Sequence, residues 1–168
     1  MTASRHQDLR IVFRNTMAGV CTPVSVVTTT WRDQPFGTTV SAFTSLSIDP
    51  PMVLVSLDRR SELLTRIRES GIFGLNILAS HQPDVASTFA KKGGSGKFTD
   101  VAWKFDDGLP RIPGTNGFVG CEVAELVEAG DHVVVLGHVR RADTSERAPL
   151  TYHSRAFGTH AGLKEPAG

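Results

Sequence analysis

The amino-acid sequence predicts a mainly β fold, a small antiparallel β-barrel with peripheral helices. The 168 residues contain about six or seven segments rich in β-branched or apolar residues, and most connections between them are short. No Gly-x-Gly-x-x-Gly motif follows any of these segments, which disfavours the usual dinucleotide-binding fold. We expect a single domain over residues 1–168, with a core from about 8 to 160.

Turn signals and alternating or continuous apolar residues define the predicted strands. They are Val20–Trp31, about Gly37–Ser45, Met52–Leu57 and Ile72–Leu78, then a hairpin within 118–144 that turns at Ala129–Asp131, and a short strand within 148–160. The connections 93–98 and 106–117 are rich in glycine or proline, which predicts loops.

Apolar spacings of three and four residues predict helices between these strands. They are expected over 8–18, over Glu62–Glu69 and within 80–92, where Ser80 is the candidate N-cap. The first helix has an apolar face formed by Leu9, Val12, Phe13 and Met17.

Composition and charge argue against several classes of protein. Apolar residues make up 40% of the chain and charged residues 21%, an ordinary globular balance. A net charge of +1 without a block of like charge gives no reason to expect nucleic acid as a partner. No apolar run approaches the roughly 20 residues of a membrane helix. The opening segment lacks a signal-peptide core, so we expect a cytoplasmic protein without a membrane partner.

The cysteines, histidines and serines do not form a recognisable catalytic or metal motif. Cys21 and Cys121 are far apart, and neither belongs to a Cys-x-x-Cys pair. No His-x-x-x-His spacing occurs, so the sequence predicts no metal site. The Gly-Ser-Gly within 93–98 lacks the strand–turn–helix context of a nucleophile elbow.

A cluster of hydroxyl-bearing residues lies along and just after the second predicted strand. Threonine is a good strand former, so an exposed, solvated strand face is one interpretation. The small residues in the run VSAF support another: a flat ring could approach the backbone, whose N–H and C=O groups would pair with the polar edge of the ring. The hydroxyl-bearing members are Thr38, Thr39, Ser41, Thr44, Ser45 and Ser47.

The segment SLDRRSELL, residues 56–64, also has two interpretations. Ser61 can cap the following helix, and Glu62 suits its first turn, which would be purely structural. The N-terminus of a helix also binds anions, and Arg59 and Arg60 would add charge-assisted hydrogen bonds to a phosphate. The lysines of FAKK, residues 89–92, either interact with the end of a helix or neutralise such a phosphate.

Histidines near the predicted hairpin are ambiguous in the same way. His132, His138 and His153 are either solvated and hydrogen-bonded or in contact with a bound molecule near neutral pH. The sequence alone leaves both interpretations open.

Several ordered segments together resemble the short-chain flavin reductase family, the reductase components of two-component flavin-dependent monooxygenases. They are FRNTMAGVCTPVSVVTT, GTTVSAFTSLSIDPPMVLVSLDRRSELLTRI, FGLNILASHQPDVASTFA, AGDHVVVLGHV and PLTYHSRAFG. They extend from about Phe13 to Phe157. The resemblance implies an FMN-binding split barrel with Greek-key antiparallel strands, a homodimer, FMN or FAD, and NADH or NADPH. It also implies an oxygenase component that receives the reduced flavin.

The resemblance also assigns residues to this expected site. The flavin ring would lie along Thr38, Thr39, Val40, Ser41, Ala42 and Phe43. The ribityl chain and phosphate would lie near Ser56, Leu57, Arg60, Ser61, Glu62 and Leu63, with Phe89 and Lys92 nearby. His132, Tyr152, His153 and Phe157 would border the nicotinamide.

The expected chemistry is hydride transfer from nicotinamide C4 to flavin N5, with no side chain acting as acid or base. His132 would position the nicotinamide. The alternatives are a flavin carrier without fast turnover, a flavoenzyme that oxidises its own substrate, and a small barrel that binds no cofactor.

Overall fold

The computed structural model describes the backbone of residues 2–163 and the side chains of residues 8–163. The helices are α1 (Thr2–Ala18), α2 (Glu62–Ser70) and α3 (Pro83–Ala90), with a 3-10 turn at Ser95–Phe98. The strands are β1 (Thr22–Pro23), β2 (Ser25–Trp31), β3 (Gln34–Val40), β4 (Phe43–Ile48), β5 (Pro51–Asp58), β6 (Ile72–Ile77), β7 (Lys104–Asp106), β8 (Leu109–Arg111), β9 (Gly117–Ala129), β10 (His132–Thr144), β11 (Leu150–His153) and β12 (Ala156–Thr159). The predicted mainly β class is confirmed.

Seven strands form the main sheet in the order β3-β2-β6-β9-β10-β5-β4, and each neighbouring pair is antiparallel. β9 and β10 pair from Ala129↔His132 to Gly117↔Thr144. Gly130 has the left-handed φ of +62° that suits their tight turn, and the predicted hairpin is confirmed. Two smaller sheets, β1-β11-β12 and β7-β8, complete the fold.

The main core lies between the inner face of this sheet and α2. Val55 and Leu57 of β5 are buried there together with Val135 of β10. Leu64 and Ile67 of α2 are 1% and 0% exposed and pack against them. Each such burial contributes about 1.5–3 kcal/mol, so the packing holds the connection from β5 to α2 in a defined position.

A second core places α3 against the opposite face of β2. Val26 points into this core, whereas its neighbour Val27 points into the main core, as alternation along a strand requires. Phe89 of α3 is fully buried and meets the ring of Phe98 edge-on, with centroids 4.8 Å apart. The segment after α3 is thereby attached to the body of the protein.

The prediction of one continuous strand over about residues 37–45 is wrong. β3 ends at Val40 as one edge of the main sheet, and β4 begins at Phe43 as the other edge. Ser41 and Ala42, which have little strand preference, form the crossover between the two edges.

Four other predictions need correction. α3 begins at Pro83 and its N-cap is Gln82 instead of Ser80, because proline suits the first helical position. The predicted loop over 93–98 contains the 3-10 turn, since Phe98 is buried. The predicted loop over 106–117 includes β8, and the C-terminal strand is the hairpin of β11 and β12.

Helix α1 contributes little to the core of its own chain. The residues of its predicted apolar face are about half exposed or more: Leu9 64%, Val12 60%, Phe13 63% and Met17 47%. The helix therefore presents an apolar surface that the described part of the chain does not cover. None of the described helices is long and apolar enough to cross a membrane.

We expect Gly137→Ala to destabilise the protein, because a methyl group there would lie 2.5 Å from Cζ of Phe73 and 3.0 Å from Cβ of Cys121. Overpacking of this kind lowers the free energy of unfolding by about 1–3 kcal/mol. Gly96→Ala is the matched control, since no atom lies within 4 Å of its added methyl group. Denaturant unfolding measures both, and equal stability of Gly137→Ala and wild type would contradict the packing described.

Candidate functional site

A cavity of about 810 Å³ lies where β3, the crossover to β4, the end of β5, the start of α2 and the segment after α3 meet. It is large enough for a nucleotide-sized ligand. Its lining residues are Phe36, Gly37, Thr38, Thr39, Val40, Ser41, Ala42, Ser56, Leu57, Asp58, Arg60, Ser61, Glu62, Leu63, Ala90, Lys91, Lys92, Gly93, Gly94, Lys97 and His132.

Strand β3 forms one wall of the cavity, and among the described strands it pairs only with β2. An edge strand has backbone N–H and C=O groups without partners in the sheet. The Thr38 and Thr39 hydroxyls donate to the carbonyl oxygens of Phe89 and Ala86, at 3.3 and 2.6 Å, and so attach β3 to α3. The hydrogen-bonding capacity that this wall can offer a ligand is therefore mainly that of the backbone.

The crossover is fixed by a contact with β5. The Ser56 backbone N–H donates to the carbonyl oxygen of Ala42 at 2.9 Å. Ser41 and Ala42 are exposed, and their small side chains leave the backbone accessible from the cavity. A flat ring could approach this stretch more closely than an ordinary strand allows.

The turn from β5 into α2 carries an exposed ion pair. The Arg60 backbone N–H donates to Oδ1 of Asp58 at 2.7 Å, and the Arg60 guanidinium pairs with the same carboxylate at 3.2 Å. These bonds from Arg60 lower the pKa of Asp58 to about 2. Arg59 points elsewhere and pairs with Glu128 at 2.9 Å, so only the second arginine reaches the cavity.

The N-terminus of α2 opens onto the cavity. Ser61 is its N-cap, and its side chain makes no capping hydrogen bond. The N–H groups in the first turn of a helix have no partner within the helix and favour an anion. Glu62 in that turn lies 3.8 Å from the Arg66 guanidinium, which offsets its negative charge.

His132 begins β10 directly opposite Asp58 in the sheet register. Its Nδ1 lies 2.8 Å from Oδ1 of Asp131, and this hydrogen bond lowers the pKa of the Asp131 carboxyl. When Nδ1 carries the proton of the neutral ring, Nε2 is free to accept a hydrogen bond.

Most of the residues predicted for the site line this one cavity. The exceptions are Phe43, Phe89, Tyr152, His153 and Phe157. Phe43 packs against the main core, and Phe89 lies behind Gly37, where an added methyl group would be 3.0 Å from its ring. The other three belong to the β11–β12 hairpin, where the rings of Tyr152 and Phe157 are 5.3 Å apart.

Sequence reasoning missed Lys97, Asp58 and the glycines of the segment after α3. Asp58 stands immediately before the two arginines, and an Asp whose carboxylate can accept from the backbone N–H two residues later is a recognisable turn signal. Lys97 had no comparable signal, because its loop composition predicted mobility and gave no sign of the buried Phe98 beside it.

The Flavin reductase like domain family matches residues 17–161. The chain belongs to this flavin reductase family. The family predicted from the sequence is therefore confirmed.

Two relatives illustrate how close this flavin reductase is to other members. It is 37% identical over 147 residues to "FMN reductase (NADH) SmoA" of Agrobacterium fabrum, covering 87% of this chain and 83% of the relative. It is 36% identical over 146 residues to the reductase component of a 4-nitrophenol 4-monooxygenase/4-nitrocatechol 2-monooxygenase of Rhodococcus opacus, covering 87% and 78%.

Two solved structures have the same fold. Nitrilotriacetate monooxygenase component B from Mycobacterium thermoresistibile superposes with a TM-score of 0.88 at 31% identity, covering 98% of this chain and 93% of the other. An NADH:FAD oxidoreductase of Streptomyces globisporus, in complex with NAD and FAD fragments, gives 0.86 at 29% identity, covering 90% and 93%.

We expect Arg60→Gln to raise the pKa of Asp58 from about 2 towards its ordinary 3.8, because the guanidinium hydrogen bond is the largest cause of the lowering. Because the pKa of Asp58 is lower in the folded state, its ionised carboxylate stabilises the folded protein. This contribution is complete above about pH 4 and is lost as the pH falls through about 2. Carboxyl NMR titration measures the midpoint. Arg59→Gln is the control, and equal midpoints in wild type and Arg60→Gln would contradict the ion pair.

Proposed function

We propose that this flavin reductase family member is an NAD(P)H:flavin oxidoreductase that reduces FMN or FAD. It would supply diffusible reduced flavin to a partner monooxygenase. The observation that carries the proposal is the cavity itself, in which a strand edge and small residues adjoin the N-terminus of a helix and a lysine-rich segment. Two relatives, an FMN reductase (NADH) and a monooxygenase reductase component, support both halves of the proposal.

The residues of the cavity fit a flavin nucleotide in polarity as well as in size. The exposed backbone from Thr39 to Ala42 offers N–H donors and carbonyl acceptors to the polar edge of a ring. The N-terminus of α2, with the free hydroxyl of Ser61, suits a phosphate. The aromatic and anionic ends of the ligand would therefore meet opposite sides of the cavity.

A bound flavin would supply the redox chemistry, which is hydride transfer from the nicotinamide. The chain would contribute orientation and electrostatics. Backbone N–H groups near Ser41 and Ala42 would stabilise negative charge that develops on the ring. Free Nε2 of His132 would accept a hydrogen bond from the nicotinamide carboxamide and set its distance. No side chain needs to act as acid or base.

We also propose that the protein is a homodimer. The apolar side of α1 is exposed, and so are Leu46 at 45% and Ile48 at 84% on the edge strand β4. Large exposed apolar patches mark interfaces in soluble proteins. The β11–β12 hairpin of the second copy is then the candidate to bring Tyr152, His153 and Phe157 to the nicotinamide side of the site.

A cytoplasmic location and a single domain over residues 1–168 complete the proposal. Cys21 and Cys121 are both free thiols, as is usual in a reducing compartment. The family match over 17–161 spans nearly the same range as the expected core.

The function is tested by following NADH or NADPH absorbance with purified protein and FMN, FAD or riboflavin in turn. We expect rapid oxidation only when flavin is added. Flavin binding without oxidation would support a carrier, and a flavin retained through purification would support an enzyme with its own substrate. Absence of flavin binding would contradict the proposal altogether.

We predict that His132→Ala raises the KM for the nicotinamide substrate about 10-fold, the loss expected for one hydrogen bond, and changes the flavin Kd less than twofold. His138→Ala is the matched control, since His138 does not line the cavity. Steady-state kinetics and flavin titration give the two constants. Equal weakening of both would contradict the assigned role of His132.

We predict that Phe13→Glu weakens the dimer by about 2 kcal/mol or more, roughly a 30-fold rise in its dissociation constant, because a charge would replace an apolar contact. Phe13→Leu keeps the apolar surface and should remain dimeric. Light scattering distinguishes the 18.1 kDa chain from a particle of twice that mass. A wild-type monomer at all accessible concentrations would exclude the dimer.

A further inference from the structure

Lys97 is held in the wall of the cavity by two backbone carbonyl groups. Its Nζ donates to the carbonyl oxygen of Phe89 at 3.1 Å and to that of Gly37 at 3.2 Å. The next residue, Phe98, is 4% exposed and anchors the 3-10 turn in the second core. The ammonium group is thus fixed between β3 and the end of α3.

One N–H donor of this ammonium group remains available. An ammonium has three donors, and the two carbonyls use two of them. Among the described residues, Lys97 is in no ion pair. Burial lowers its pKa, and the opposing effect of the Glu62 charge is smaller. A partly buried ammonium group with one free N–H donor forms its strongest additional hydrogen bond with an anionic ligand.

The other basic residues of the cavity are less suited to that role. The Arg60 side chain is 87% exposed, and its guanidinium is already paired with Asp58. Lys91 and Lys92 are exposed and make no side-chain hydrogen bond among the described residues. Lys97 is therefore the cavity cation whose position is set before a ligand arrives.

The turn that carries Lys97 also lies against the start of α2. A methyl group at Gly94 would be 3.2 Å from Oε2 of Glu62, so the loop and the first turn of the helix are in contact. The unused Ser61 hydroxyl and the free N–H groups of that turn face the same cavity. A phosphate at the helix N-terminus would share this cavity with the third donor of Lys97.

We propose that Lys97 is the residue that makes this site select phosphorylated flavins over riboflavin, by donating a charge-assisted hydrogen bond to the flavin phosphate. The inference rests on the proposed function and extends it to the choice of flavin. Nearby Glu62 does not cancel the effect, because its carboxylate is offset by Arg66. The same hydrogen bond from Lys97 could form with the phosphate of FMN or with the first phosphate of FAD.

The test compares the Kd of FMN with that of riboflavin, measured by quenching of flavin fluorescence in wild type and Lys97→Met. We expect FMN binding to weaken roughly 10- to 100-fold, the loss of one charged hydrogen bond, and riboflavin binding to change less than twofold. Lys104→Met, on β7 away from the cavity, is the matched control and should leave both constants unchanged. Lys97→Arg should restore part of the preference for FMN, because it restores the charge.

Each other outcome overturns the inference in an identifiable way. Equal weakening of FMN and riboflavin would show that Lys97 only anchors the loop, and unchanged constants would show no role in binding. If wild type binds neither flavin, the proposed function fails as well. Lys97→Gln retains a donor for the carbonyls, and it replaces Lys97→Met in the same comparison if circular dichroism shows that the methionine variant is unfolded.

Discussion

The hydrogen bond from the Ser56 N–H to the carbonyl oxygen of Ala42 is the contact on which the site depends. It holds the crossover after β3 against β5, so that β3 remains an edge strand whose outer backbone groups are not used by a second strand. If Ser41 and Ala42 continued the strand into another pairing, those backbone groups would be used within the sheet. The cavity lies where the chain passes from β3, at one edge of the main sheet, to β4, at the other edge.

The charged side of the cavity is built from residues that the two cores hold in place. β5 and α2 are fixed by the main core, and the turn carrying Lys97 is fixed by Phe98 in the second core. Asp58 and Glu62 are each paired with an arginine, so neither leaves an unbalanced negative charge beside the helix start. An anion that binds to this surface would need no rearrangement of the backbone, which would reduce the entropic cost of binding.

The sequence predicted much of the fold and most of the residues that line the cavity, and the errors have physical causes. Period-two alternation and the glycine turn predicted the β9–β10 hairpin because both signals are local. Local signals could not show that residues 37–45 serve two edges, since strand pairing with distant segments decides it. Lys97 was missed for the same reason, because only the tertiary packing of Phe98 fixes the glycine-rich segment against the cavity.

The measurement that tests the central claim most directly is a crystal structure of the protein with FMN. We expect the ring along the backbone of residues 39–42 and the phosphate at the N-terminus of α2. A flavin bound elsewhere, or a ring reversed so that the phosphate lies beside the crossover, would contradict the account of how this cavity works.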